Sequence, residues 1–378
     1  MKFRLLAVVM VLAVILLGCE TTELPPEIKN VTSKIYNETK QVIGLSNETI
    51  PHPTPIDICS RIWRYNLTCA LKYALAQSEI SKIKDLALEL KGKDIKESAW
   101  NIVEWEDKNI KYDWQKAALP MPEIVYYRVN GIITDVKVVE GQNNIYQTPY
   151  ETIQRGKGVC RDYAILTAGL LLAMGYSPVY IFHVEFEGSM RNHTAAGINI
   201  HGNYFVIDQH PPVMDLGTYY MHWKYYTTTN RSIIKKIDIY EVKPGKDLAE
   251  VRFVETLSGD ELRRYDYTLK TSDLDRIRLD LAKMLESSFN LIKDPNIRDI
   301  DKTYLPRGYV KGITWTWNLP NYVDHYNLEF HEEFVKFIYK RIIKDDRVVR
   351  DLNYYNHFYL KIERDGNNLK IILNLAKT

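Results

Sequence analysis

The chain has 378 residues but only four cysteines, a net charge of +2 and none of the short motifs of nucleotide or metal sites. A charge balance so near neutral removes the bulk electrostatic case for nucleic-acid binding. No G-x4-G-K-S/T loop, H-E-x-x-H helix or C-x-x-C pair occurs. His183, His201, His210 and His222 lack the spacing of a zinc set, and no calcium-loop pattern is present. No cofactor and no metal are therefore expected. No repeat or low-complexity tract stands out. The N-terminal apolar run, Leu5 to Leu17, has 13 residues, short of the about 20 that a membrane-spanning helix needs.

What is present is ordinary globular composition, 46% hydrophobic and 26% charged, with tyrosine abundant at 27. The length favours two folded regions. Met1-Lys2-Phe3-Arg4 followed by the apolar run reads as a signal segment. Leu16-Leu17-Gly18-Cys19 resembles the lipobox of prokaryotic lipoproteins, which makes Cys19 a lipid-anchor candidate. Residues 1–19 are thus expected to be a signal peptide or membrane anchor. The chain beyond them is expected to be extracytoplasmic, held at the membrane by its N-terminus. Residues 20–55 carry Pro25, Pro26, Pro51, Pro53 and Pro55, and three of six N-x-Ser/Thr sequons (Asn30, Asn37, Asn47; the others are Asn66, Asn192 and Asn230). That composition reads as a linker or stalk.

Setting aside Cys19 and Cys160, Cys59 and Cys69 remain as a disulfide candidate. On one continuous helix their Cα atoms would lie about 15 Å apart, and a disulfide tolerates about 7 Å at most. The bond forms only if the chain turns between them, near Asn66.

Residues 56 to 118 show helical spacing, with Ile80, Ile83, Leu86 and Leu90, then Trp100, Val103 and Ile110. Residues 123–140 alternate around Asn130-Gly131 and predict a hairpin. Val159 to Met174 predicts an apolar helix capped by Gly175. Val179–Phe186, Ala195–Ile200 and Tyr204–Ile207 predict strands. Residues 56–244 are expected to form one domain and 245–378 a C-terminal α+β region. The latter should hold helices from Thr271 to about Lys293 and from Leu328 to Lys344, then a hairpin around Asp365-Gly366. It bears no chemical motif, so its expected role is packing or recognition.

The chemistry lies in residues 156–208. Gly156-Lys157-Gly158-Val159-Cys160-Arg161-Asp162-Tyr163-Ala164 places a thiol at a loop-to-helix junction, with His193 33 positions on and Asp208 15 further. At the first turn of a helix the sulfur would face the positive end of the macrodipole, and a nearby imidazole would stabilise a thiolate. The amide of Cys160 could donate to an oxyanion. If 193–200 and 203–210 pair through a two-residue loop at His201-Gly202, opposite positions sum to 403. His193 and Asp208 are then diagonal neighbours on one face; a one-residue slip would separate them.

Residues 98–210 resemble the transglutaminase-like superfamily. Ser98-Ala99-Trp100-Asn101-Ile102-Val103 leading to Asn109-Ile110-Lys111-Tyr112-Asp113 is similar to its opening helix and Asn-Ile-x-Tyr segment. The Cys160 block is similar to its nucleophile motif, G-x-G-x-C-x-D-x-A, and Asn192-His193-Thr194 and Tyr204-Phe205-Val206-Ile207-Asp208 to its His and Asp blocks. The resemblance implies an α+β, papain-like core in which a nucleophile helix packs on an antiparallel sheet. It implies Cys160 as nucleophile, His193 as base and Asp208 as orienter, with a second oxyanion donor from upstream, for which Tyr112 and Trp114 are candidates. Two departures touch the walls of the site. Thr194, Ala195 and Ala196 follow the His where the family often has an aromatic, and Tyr204 and Phe205 stand where it usually has Trp.

The expectation is a thiol enzyme acting on amide or peptide bonds through a thioester, a hydrolase with a protein or peptide substrate. Cross-linking by transfer to a second amine, and a non-catalytic binding module on the same scaffold, are the alternatives.

Overall fold

The computed structural model describes residues 57–189, 192–225, 232–300 and 304–378. The leader, the stalk, Cys19 and the sequons at Asn30, Asn37, Asn47 and Asn230 lie outside the described residues.

The chain begins with α1 (Ile58–Ile62) and α2 (Leu67–Ala74). The side chain of Asn66 caps α2 by accepting from the Cys69 amide at 3.1 Å, so the turn falls where the cysteine spacing required it. The Cα atoms of Cys59 and Cys69 come within 5.0 Å and the disulfide is formed. Helix α3 (Ile95–Asn109) starts at Asp94, whose carboxylate accepts from the Lys96 and Glu97 amides. Strand β1 (Lys111–Tyr112) follows, then the predicted hairpin, β2 (Glu123–Val129) and β3 (Ile132–Glu140). Helix α4 (Pro149–Arg155) opens with a capping box between Thr148 and Glu151. Strand β4 (Lys157–Gly158) pairs in parallel with β1.

Helix α5 (Cys160–Ala173) is buried from Arg161 through Leu172 on every face. Such a helix carries no polar stripe because nothing on it meets water. Gly175 follows at φ 92°, a left-handed cap as expected. Strands β5 (Val179–Phe186), β6 (His193–Ile200), β7 (Asn203–Ile207) and β8 (Met214–Asp215) come next, then α6 (Leu216–Tyr225), β9 (Ile234–Lys243) and β10 (Glu250–Ser258). They form one antiparallel sheet in the order β10-β9-β5-β6-β7-β8. Alternation sorts its side chains: Val179 and Ile181 join the core containing α5, while Tyr180, Phe182 and Val184 join a second core with Leu216 and Tyr219 of α6.

Beyond this sheet come α7 (Thr271–Phe289), β11 (Ile292–Lys293), β12 (Lys311–Leu319), α8 (His331–Ile342), α9 (Asp346–Tyr354), β13 (His357–Asp365) and β14 (Asn368–Lys377). The second sheet runs β11-β13-β14-β12. The boundary expected between residues 244 and 245 falls in the turn joining β9 to β10, two strands of one sheet. Leu281, Phe334, Leu369 and Leu373 belong to the same apolar core as Leu166 of α5. The C-terminal elements therefore share a core with the first sheet within one unit, Pro55–Thr378. Helix α7 stops at Phe289, four residues short of Lys293, because Asn290 turns left-handed at φ 50°. Among the described residues, no helix is long and apolar enough to cross a membrane.

Candidate active site

The nucleophile loop is built around one buried carboxylate. Asp162 accepts from the Val159 amide at 2.9 Å, the Gln147 amide at 3.0 Å, the Gln147 side chain at 3.1 Å and the Lys116 ammonium at 2.6 Å. A side chain at Gly158 would put its Cβ 2.8 Å from the Cβ of Asp162, so glycine is required there. Gly156 sits at φ 60° and ends α4. Parallel pairing of β1 with β4 then brings Tyr112 beside the start of α5. Asp162→Ala is expected to lower stability by about 3–5 kcal/mol, because it leaves a buried ammonium and buried amides without an acceptor; the urea midpoint measures it.

Cys160 opens α5 and is half-buried. His193 begins β6 and is buried, and Asp208 directly follows β7. The predicted register holds: Ala196 pairs with Ile207 and Ile200 with Asn203, through a turn with His201 and Gly202 at φ 52° and 87°. Nε2 of His193 lies 2.8 Å from Oδ2 of Asp208. The imidazole and the Cys160 sulfur act on each other electrostatically, and with Nε2 engaged by the carboxylate, Nδ1 is the nitrogen left for the sulfur.

The charges reinforce one another. Burial pushes the Cys160 thiol up, but the His193 charge, with the Thr194 amide, holds it below the ordinary thiol value. Burial pulls His193 down, yet Asp208 and Cys160 raise it to about 10. Burial pushes Asp208 up, but His193, Tyr219 and Gln209 hold it below the usual carboxylate range. The arrangement favours a thiolate and an imidazolium at neutral pH.

The two upstream candidates part company. Burial and the negative charges of Cys160 and Asp208 push the Tyr112 phenol up to about 12, so it stays protonated beside the sulfur and can donate. Trp114 is 74% exposed, and its ring lies 4.5 Å from that of Tyr112.

Two contacts were not foreseen. Tyr219 donates its hydroxyl to Oδ2 of Asp208 at 2.8 Å, and the ring of Trp223 lies 4.9 Å from that of His193. The aromatic missing after His193 in sequence is thus supplied from α6. Glu106 on α3 is also new: it is fully buried, with Oε1 accepting from Thr167 at 2.8 Å and Oε2 unpartnered. Burial raises it to about 8, so it is a neutral acid at pH 7. The unfolded chain ionises this group near 4.5 and the folded protein near 8, so the stability it lends is complete below the first value and lost as pH rises to the second. Glu106→Gln is expected to leave stability unchanged at about pH 4 and to raise it by roughly 4 kcal/mol at about pH 8, seen as a pH-dependent gap between denaturation midpoints. Among the described residues no group of His, Cys, Asp and Glu could hold a metal ion.

A family model for a transglutaminase-like domain matches residues 81–240. The UPF0252 protein of Archaeoglobus fulgidus is 34% identical over 325 residues, covering 85% of this chain and 92% of that protein. A UPF0252 protein of Pyrococcus furiosus is 28% identical over 299 residues, covering 79% and 81%. Among solved structures, a protein of Cytophaga hutchinsonii described as a candidate cysteine protease is 17% identical at a TM-score of 0.26, covering 57% of this chain and 56% of that one. Legionella pneumophila LapG is 13% identical at 0.28, covering 51% and 87%. The chain belongs to the UPF0252 family and has a transglutaminase-like α+β fold.

Proposed function

We propose that this chain is an exported, membrane-anchored thiol hydrolase of amide or peptide bonds, with Cys160 as nucleophile, His193 as acid and base, and Asp208 as orienter. The observation that carries the reading is the convergence of three side chains, from the start of α5, the start of β6 and the end of β7: Asp208 is hydrogen-bonded to His193, and the His193 charge acts on the Cys160 sulfur. The Cys160 sulfur attacks the substrate carbonyl, and the oxyanion takes hydrogen bonds from the Cys160 amide and the Tyr112 phenol. The tetrahedral adduct collapses as imidazolium gives its proton to the leaving amine, and a thioester remains. Neutral His193 then takes a proton from water, hydroxide adds to the thioester carbonyl, and the acid leaves as the sulfur departs. Were an amine to replace water, the product would be a cross-link.

The basic leader and short apolar segment support export, and the Cys59–Cys69 disulfide supports an oxidising compartment. Membrane attachment is tested by fractionation: full-length protein should sediment with membranes and a form lacking residues 1–19 should not. The activity is tested with a quenched peptide library and mass-resolved products. Cleavage by the wild type and none by Cys160→Ala is expected, with an acyl adduct on the Cys160 peptide. Equal cleavage by both proteins would overturn the reading.

A further inference from the structure

We propose that α6 is the positioning element of the triad, with Tyr219 fixing the Asp208 carboxylate and Trp223 fixing the His193 ring. The inference rests on the reading that the triad is reactive, and it goes further by assigning roles to residues outside the resemblance. Tyr219 and Trp223 are four residues apart, so one helix face presents both. Tyr219 is fully buried. Its hydroxyl reaches the same oxygen of Asp208 that faces His193 Nε2, each at 2.8 Å. Gln209 holds the other oxygen at 3.2 Å. The carboxylate cannot rotate without breaking these bonds. The Trp223 ring meets the imidazole at 61° and packs at 83° against Tyr219, 6.2 Å away, closing one side of the His193 ring.

The start of α6 is itself held from the C-terminal elements. Asp215 accepts from the Thr218 amide at 2.8 Å and from the Asn327 side chain at 2.8 Å. The Thr218 hydroxyl donates to the Asp324 carbonyl at 3.1 Å. A Cβ on Gly217 would sit 2.4 Å from the Asp266 nitrogen, so the helix approaches that segment as closely as glycine allows. The C-terminal region, which carries no chemical motif, thereby has a route to the site: residues 324–327 hold α6, and α6 holds the triad.

A positioning role makes a prediction that loosening alone does not. Besides Asp208 and Tyr219, the titratable groups facing the imidazole and its carboxylate are Cys160 and Tyr163 from α5, Glu106 from α3, Tyr112 from β1, His183 from β5 and His222 from α6. Tyr219→Phe removes the donor that shares Oδ2 of Asp208 with His193, so the carboxylate binds imidazolium more strongly and His193 keeps its proton to higher pH. Trp223→Leu admits water that screens the two anions holding that proton and removes a π partner, so His193 loses it at lower pH.

The test is alkylation of Cys160, followed on its own peptide by mass spectrometry. Iodoacetate and iodoacetamide are compared across pH in the wild type, Tyr219→Phe, Trp223→Leu and Trp223→Phe. The iodoacetate-to-iodoacetamide rate ratio is high while imidazolium is present and falls as it deprotonates. The expected midpoint moves up by about 0.5–1 pH unit in Tyr219→Phe and down by a similar amount in Trp223→Leu; Trp223→Phe restores the wild-type value. Unshifted midpoints, or shifts of one sign in all variants, would overturn the role of α6, provided the wild type shows the fall. A wild type without the fall would instead count against the ion pair itself.

Discussion

Cys160→Ala is expected to lower hydrolysis of a responsive peptide by about four to six orders of magnitude, with the fold intact. The size follows from what the sulfur does: without it no thioester forms, and only binding and the oxyanion donors remain to favour the reaction. The side chain is small and half-buried at the first position of α5, and the helix behind it is secured by the buried residues from Arg161 through Leu172, Asp162 among them. Truncation there removes little packing, so activity and stability should separate. Hydrolysis rates and urea midpoints measured on the same preparations check this. A variant that keeps its midpoint and also keeps more than about one hundredth of the activity would remove Cys160 from the chemistry.

Asp208→Asn is the second large effect, expected at about 10²- to 10⁴-fold in the rate constant for turnover. The amide occupies the space of the carboxylate but lacks its charge. Asp208 is among the charges that raise His193 to about 10, so the imidazolium of the variant should lose its proton at lower pH. Sulfur then loses its counter-ion, and the leaving amine loses its proton donor. The alkaline limb of the pH–rate profile should move toward neutrality, while any acid limb set by the thiol moves less, since the Asp208 charge opposes thiol ionisation directly. A rate profile from pH 5 to about 10 on both proteins measures the shift. A variant with reduced rate but an unmoved alkaline limb would show that the carboxylate acts on geometry alone.

The core of the site was legible because its determinants are local. A two-residue turn at His201-Gly202 fixes the sum of paired positions, and that sum puts His193 and Asp208 on one face. The glycines before Cys160 mark the junction where a helix can begin abruptly. The turn that joins Cys59 to Cys69 was equally forced, since no straight helix could bring them together. Tyr219 and Trp223 left no comparable sign. Each is an aromatic on a helix whose neighbours, Leu216 and Tyr220, are ordinary core residues, and only the folded path shows which aromatics meet the triad. Glu106 escaped for the same reason: it lies among the charged residues of α3, and nothing in that spacing distinguishes a buried carboxyl from a solvated one. The boundary near residue 244 was misplaced because the composition changes there, whereas the sheet continues through β9 into β10. Strand β12 (Lys311–Leu319), with Ile313, Trp315 and Trp317 at alternate positions, pairs with β14 (Asn368–Lys377), remote in sequence, so its partner is set by tertiary pairing.

Titration of the thiolate ultraviolet absorbance of native protein, with Cys160→Ala as the subtracted reference, tests the ion pair most directly. The account requires the signal to persist well below the ordinary thiol value of about 8.5, and to move up toward it in His193→Ala. A wild-type signal that appears only at or above that value, unchanged by His193→Ala, would contradict it.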